Sequence, residues 1–388
     1  MRHRIVGTAL RVELDADHRA LRDAVREFAQ LRVKPCAAEV DREHRFPREV
    51  VAAASELDLM GVLVPAEYGG AGLDHLSFTI VVEELARACA STAVIVDVHN
   101  SVACEPILLF GTEAQKRAWL PRLAAGEVLG AFALTEPSSG SDAAALKTVA
   151  RRHGDAWVLT GTKAFITNVG EAGVYIVFAR TGSEPGPAGV SAFIVPAESE
   201  GLKVGQVYRK MGLHGSPTGE LVLEEARVPS ANLLHEEGRG FTVAMRALDS
   251  GRVGISGQAL GIAQAALEEA IEYAKAREQF GRPVAENQGV GFMLADMATR
   301  LAAARQMTYH AAALCSAGKP FTREASMAKL FSTDAAMDIA TDALQVAGGH
   351  GYLADHPFER HFRDAKALQI YEGTNQVQRI VIARSLLS

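Results

Sequence analysis

The spacing of apolar and polar positions divides this chain into three textures. Leu21, Val25 and Phe28 recur at helical spacing with charged residues between them, so the first third reads as helical with one apolar face. Pro47, then Pro65 with Gly69, Gly70, Ala71 and Gly72, punctuate the segments that follow. Residues 74–90 read as a helix with an acidic step at Glu83 and Glu84, and Thr112-x-x-Gln115 is a capping box opening a short helix expected to end near Pro121. The most apolar run, residues 92–110, is interrupted by Asp97, His99, Asn100, Glu105 and Pro106, and so reads as a buried core helix rather than a membrane span. From about 130 to 236 the period shortens. Residues 157–160, 174–178, 190–195 and 220–223 read as strands separated by Gly, Pro or Asn turns, with 182–189 a surface excursion. After Gly238-Arg239-Gly240, residues 241–276, 288–314 and 321–347 are each long enough to span a four-helix bundle. The expected fold is α+β and multidomain: an N-terminal helical domain (1–129), a central β-barrel (130–236) and a C-terminal helical bundle (237–388).

Composition narrows the picture. A chain of 388 residues with 48% hydrophobic and 22% charged positions is an ordinary globular one with ample core. Its net charge of -6 and lack of a long basic run argue against nucleic-acid binding. Cys36, Cys89, Cys104 and Cys315 show no CxxC spacing, which fits reduced thiols in a cytoplasm better than disulfides or zinc. Residues 1–10 are basic but carry no apolar run long enough for a signal peptide, so a cytoplasmic protein without membrane insertion is expected. Several motif-like stretches fail. Residues 140–148 place Leu146, not glycine, before Lys147, which excludes a P-loop. Gly70-Ala71-Gly72 lacks the third glycine of a dinucleotide fingerprint. His350, His356 and His361 miss HExxH spacing, so no metal is expected, and no Gly-x-Ser-x-Gly elbow supports a serine hydrolase.

The stretch 369–379, Q-I-Y-E-G-T-N-Q-V-Q-R, holds a lone acid, Glu372, between an aromatic residue and a glycine. A carboxylate in a partly apolar setting has a raised pKa, which suits a general base. The same stretch also reads as a cap, with Thr374 opening a final helix from Asn375 to Leu387, and local residues leave both open. Four further polar, glycine-containing turns stand out. Residues 131–142 (A-F-A-L-T-E-P-S-S-G-S-D) run from a strand into a loop dense in hydroxyls and backbone donors. Residues 163–168 set an aromatic ring beside a hydroxyl. Arg277-x-Gln279-Phe280-Gly281 closes a helix with an arginine suited to phosphate or to the helix dipole. Gln345-x-x-Gly348-Gly349-x-Gly351 ends another helix with close backbone approach possible.

In this order the segments resemble the acyl-CoA dehydrogenase family: A-L-T-E-P-S-S-G-S-D, G-x-K-x-F-I-T-N, L-D-S-G-R, R-E-Q-F-G, Q-V-A-G-G-H-G-Y and I-Y-E-G-T-N-Q-V-Q-R. The resemblance implies the helical, β-barrel and four-helix-bundle domains, a homotetramer, and FAD as cofactor. It places Phe132, Leu134, Thr135 and Ser141 along the isoalloxazine and phosphate, and Phe165, Ile166 and Thr167 over the ring's other side. Phe165 stands where the family often has tryptophan. The resemblance sends Arg277, Gln279, Phe280, Gln288, Gln345 and Gly349 to a neighbouring subunit's FAD, and puts Thr374 and Gln376 against FAD beyond the base. Ser141, Asp249, Arg252 and Gly373 match substrate-contacting positions, although Asp249 and Arg252 also suit a simple i, i+3 ion pair. Glu372 would take the α-proton of an acyl-CoA as hydride leaves the β-carbon, giving a trans-2-enoyl thioester, with electrons passing on to electron-transfer flavoprotein. Some members carry the base on the L-D-S-G-R helix instead; here that position is Gly251. Residues 318–329 and His99-Asn100-Ser101 look most similar to short-chain and short/branched-chain members. Alternatives are a relative acting on a carrier-protein-bound acyl group, one using oxygen as acceptor, and a non-catalytic scaffold.

Overall fold

The computed structural model describes residues 12–184 and 186–388; the stretch inspected for a leader lies outside them. The N-terminal region holds seven α-helices among the described residues: α1 (Ala16–Phe28), α2 (Lys34–Glu43), α3 (Arg48–Ser55), α4 (His75–Ala88), α5 (Ala90–Val98), α6 (Glu105–Phe110) and α7 (Glu113–Ala124). Side-chain caps start several of them. Asp15 accepts from the His18 N–H, Asp74 from that of Ser77, and the Thr112–Gln115 capping box is present in both directions. The helix it opens runs past the expected stop at Pro121, which lies within α7; the missing donor leaves only the carbonyl of solvent-exposed Arg117 without its helical partner. Helix α4 is buried nearly all round, and its Glu83 and Glu84 are answered by Arg305 and Arg26, each at 2.7 Å. The segment Ala90–Phe110 has the length and apolarity of a membrane span, yet 83% of its most apolar window is buried within the protein, as a core helix requires. It is not one continuous α-helix: a wider π turn at His99–Cys104 separates α5 from α6.

The middle region contains β1 (Gly130–Ala133), β2 (Val149–His153), β3 (Ala156–Thr167), β4 (Val174–Arg180), β5 (Val190–Pro196), β6 (Leu202–Val207), β7 (Thr218–Pro229) and β8 (Leu233–Leu234). They form one sheet in the order β6-β7-β3-β2-β4-β5-β8, with β1 parallel to β4. The expected barrel does not form, because the end strands β6 and β8 do not pair with each other. β8 is only two residues long and β6 is largely exposed, so neither offers an edge able to close the sheet.

The C-terminal region is built on α8 (Gly240–Ala276), 37 residues or about 55 Å long. A hairpin of β9 (Glu278–Gln279) and β10 (Arg282–Pro283) leads to α9 (Gln288–Ser316), α10 (Thr322–Ala347), α11 (Phe358–Leu368) and α12 (Asn375–Leu387). Alanine-rich faces let α8, α9 and α10 approach closely, and one apolar core joins them to α4 and α5. The candidate site lies where α5, α8, α10 and the α11–α12 turn meet.

Candidate active site

The turn between α11 and α12 is strained in a directed way. Glu372 (φ 51°) and Gly373 (φ 91°) are successive left-handed residues; a side chain in that region costs about 1 kcal/mol or more. Neighbours hold it in place. The Gly373 carbonyl accepts from Lys329 Nζ and Gln378 Nε2, both at 2.9 Å, while the Tyr371 hydroxyl donates to Gln258 Oε1. Thr374 caps α12 by accepting from the Val377 N–H, so the capping reading and a chemical role for Glu372 coexist. The turn drives the Glu372 carboxylate against α8 at Gly251. A Cβ there would stand 2.1 Å from Oε2, so only glycine leaves space for the acid. The residue as a whole is half-buried, but Oε2 is fully enclosed and has no hydrogen-bond partner.

The electrostatics follow from that enclosure. Burial pushes the Glu372 carboxyl up to about 7, with Arg252 and Lys329 pulling the other way. Burial also lowers the Lys329 ammonium to about 7, opposed by the charge of Glu372 and reinforced by Arg252. Asp97, wholly buried on α5, is held well above the usual carboxylate range by burial and then by the charge of Glu372. Arg252 Nη1 donates to Asp249 Oδ1 at 2.6 Å, and Asp249 Oδ2 accepts from Thr322. The i, i+3 ion pair is therefore real, but the same arginine also faces the Glu372 carboxylate. An unpartnered, enclosed carboxylate poised near neutrality is equipped to abstract a proton from a bound substrate.

The remaining predicted residues fall into two groups. In the sheet region, Leu134 is buried and Phe132 half-buried, the latter's ring tilted against that of Phe178 with centroids 4.9 Å apart. The Thr135 carbonyl accepts from the Ala164 N–H, and Ser141 is exposed. A register shift between Lys163 and Ile166 lifts Phe165 off the β3–β7 ladder. Phe165 has φ 57° and is 66% exposed beside Tyr208, while Ile166 is buried and Thr167 returns to the ladder opposite Thr218. Beneath this loop, buried Lys163 donates to Glu136 Oε1 (2.8 Å) and the Leu134 carbonyl (3.1 Å), fixing both strands. At the far end of α8, Arg277, Gln279 and Gly349 line a cavity of about 490 Å³. Phe280 (99% exposed) tops the adjoining hairpin turn, and Gln288 and Gln345 are exposed at nearby helix ends, whereas Gln376, exposed in the first turn of α12, stays close to Glu372. About 39 Å of helix axis separates Gly251 from Arg277. One chain thus does not bring this second group to Glu372.

These residues suit FAD. An exposed aromatic wall at Phe165 offers a face for a planar ring. The groove combines a guanidinium with Gly349, where nothing stands within 4 Å of a built Cβ, so its backbone can approach a pyrophosphate. Sequence reasoning missed Lys329 and Asp97 as parts of the site. Their only signal was an ionisable residue within an otherwise apolar or Ala/Ser-rich helical run.

Comparisons with known proteins follow the same three regions. The acyl-CoA dehydrogenase N-terminal, middle and C-terminal domain families match residues 15–127, 131–226 and 238–387. The mitochondrial short-chain specific acyl-CoA dehydrogenase of Bos taurus is 50% identical over 376 residues, covering 97% of this chain and 91% of that protein. Butyryl-CoA dehydrogenase from Megasphaera elsdenii superposes with a TM-score of 0.96 at 43% identity, covering 97% of this chain and all of that one. A chain from work on the electron transferring flavoprotein of Acidaminococcus fermentans gives a TM-score of 0.96 at 47% identity, covering 97% and 99%.

Proposed function

The chain belongs to the acyl-CoA dehydrogenase family, a FAD-dependent one, and we propose that it oxidises short-chain acyl-CoA thioesters to trans-2-enoyl-CoA with Glu372 as the base. The observation that carries this is the unpartnered Oε2 of Glu372 seated in the Gly251 notch. The α-proton of a thioester is only weakly acidic, and it becomes removable when donors stabilise negative charge on the carbonyl oxygen. The backbone N–H of Glu372 serves as one such donor, which explains why the turn is worth its strain. Glu372 then takes the α-proton, and Arg252 and Lys329 favour the ionised carboxylate that does so. When bound, FAD supplies the acceptor for the hydride leaving the β-carbon. Phe132, Leu134, Thr135, Ser141, Phe165, Ile166, Thr167, Thr374 and Gln376 would hold its flavin half. Arg277, Gln279, Phe280, Gln288, Gln345 and Gly349 would hold the other half of a neighbouring subunit's cofactor.

Their separation along α8 supports self-association, because a second chain must supply the missing contacts, and the family resemblance makes the homotetramer the expected form. Asp249, Arg252, Ser141 and Gly373 would meet the thioester and pantetheine. The short-chain preference rests on the similarity to the Bos taurus and Megasphaera elsdenii enzymes, and the Acidaminococcus fermentans neighbour supports electron-transfer flavoprotein as the onward acceptor. The test is anaerobic titration of the yellow protein with straight and branched acyl-CoAs from four to sixteen carbons, following flavin bleaching. Bleaching greatest at four carbons is expected; an optimum at long chains, or peroxide formation in air matching substrate turnover, would contradict the assignment.

A further inference from the structure

Asp97 is the acid that the proposed reaction leaves without a task. It sits near the end of α5, all of whose residues are buried, and is itself wholly shielded from solvent. Its Oδ1 accepts from Ser101 at 3.1 Å, but Oδ2 has no partner. A buried polar atom left unpaired is costly, and a serine or alanine here would avoid that cost.

The placement of its carboxyl relative to Glu372 gives this acid a use. Gly251 and Gly254 lie three residues apart on one face of α8, and each makes room for one carboxyl. A Cβ at Gly254 would stand 2.0 Å from Asp97 Oδ1, as one at Gly251 would meet Glu372 Oε2 at 2.1 Å. The notches differ by about 4.5 Å along the axis. They also have a direction. Asp249, two residues before the first notch, is only part-buried and bonds exposed Thr322, whereas every residue from Ser250 to Ala263 is buried. Asp97 is therefore deeper than the base, by the reach of a few carbon–carbon bonds. Apart from Asp97, the atom closest to the Gly254 notch belongs to Phe78, so the polar group stands in an apolar wall.

We infer that Asp97 is a specificity-determining residue at the inner end of the acyl site, recognising a hydroxyl carried by the acyl chain beyond its β-carbon. This rests on the acyl-CoA dehydrogenation proposed above. A neutral substituent is favoured over a cation. Glu372 and Tyr371 are the titratable groups that face Asp97, no cation among the described residues pairs with it, and its proton is retained by burial and by the charge of Glu372. A protonated carboxyl presents Oδ2 as a donor, which a hydroxyl oxygen satisfies and a methyl end leaves unpaired.

The experiment compares kcat/KM for 4-hydroxybutyryl-CoA and butyryl-CoA on the full-length, FAD-loaded protein, its Asp97→Val variant and its Asp97→Asn variant. The expected preference of the unaltered protein for the hydroxylated thioester is about tenfold or more. Asp97→Val abolishes or reverses that ratio, and Asp97→Asn, which still donates and accepts, retains it. Preference of the unaltered protein for butyryl-CoA, or an unchanged ratio in Asp97→Val, overturns the inference while leaving the dehydrogenase reading intact. Should Asp97→Val fail to fold, the ratios of the unaltered protein and of Asp97→Asn still decide. Bleaching by neither thioester overturns both.

Discussion

Replacing Gly251 with alanine perturbs the site by a single methyl group whose consequences can be worked out from the structure. The new Cβ would lie 2.1 Å from Glu372 Oε2 and 2.9 Å from its Cδ. Non-bonded contact requires about 3.5 Å, so the carboxylate oxygen must retreat by about 1.4 Å. The turn has little freedom to absorb this, since Lys329 and Gln378 both hold the Gly373 carbonyl. A 1 Å misplacement of a reacting group is worth about 10²-fold in rate, or about 2.7 kcal/mol of barrier. Folding moves the other way, because alanine in a helix interior is favoured over glycine by about 1 kcal/mol. Gly251→Ala is therefore expected to fold, bind FAD and bleach about a hundredfold more slowly with butyryl-CoA in anaerobic stopped flow. Bleaching at the unaltered rate, with normal flavin content, would refute the notch argument.

Other consequences are equally direct. The bleaching rate should rise with pH through about 7, because the base acts only when ionised. In Lys329→Met a cation that favours the carboxylate is lost, so the midpoint should move alkaline by roughly one pH unit; an unmoved midpoint would separate Lys329 from the base. Lys163→Met removes the buried counter-charge of Glu136, which retains only the Lys147 and Thr148 N–H donors. Chemical denaturation should register a loss of about 3–5 kcal/mol, and unchanged stability would show that the two backbone donors suffice.

What the sequence disclosed and what it hid divide along physical lines. Local signals read well: the Thr112–Gln115 box, the Thr374 cap and the long C-terminal helices each depend on neighbours within a turn or two. The closure of the sheet did not, because pairing between its end strands is decided by partners far apart in the chain. Gly251 was legible as a position lacking a carboxylate, yet its role as the seat of one needed the α11–α12 turn to be placed against α8. Asp97 registered only as an interruption of an apolar run. Its unpaired oxygen and its nearness to the base exist only once α5 is packed on Gly254. Arg277 looked like a phosphate ligand or a dipole partner, and local sequence offered no means of seeing how far along α8 it stands from Glu372.

The central claim is that Glu372 removes the α-proton, and Glu372→Gln tests it with the least change in shape. The variant should bind FAD and butyryl-CoA, the latter read from perturbation of the flavin spectrum, and then show no bleaching under anaerobic conditions. Bleaching at the rate of the unaltered protein would contradict the account.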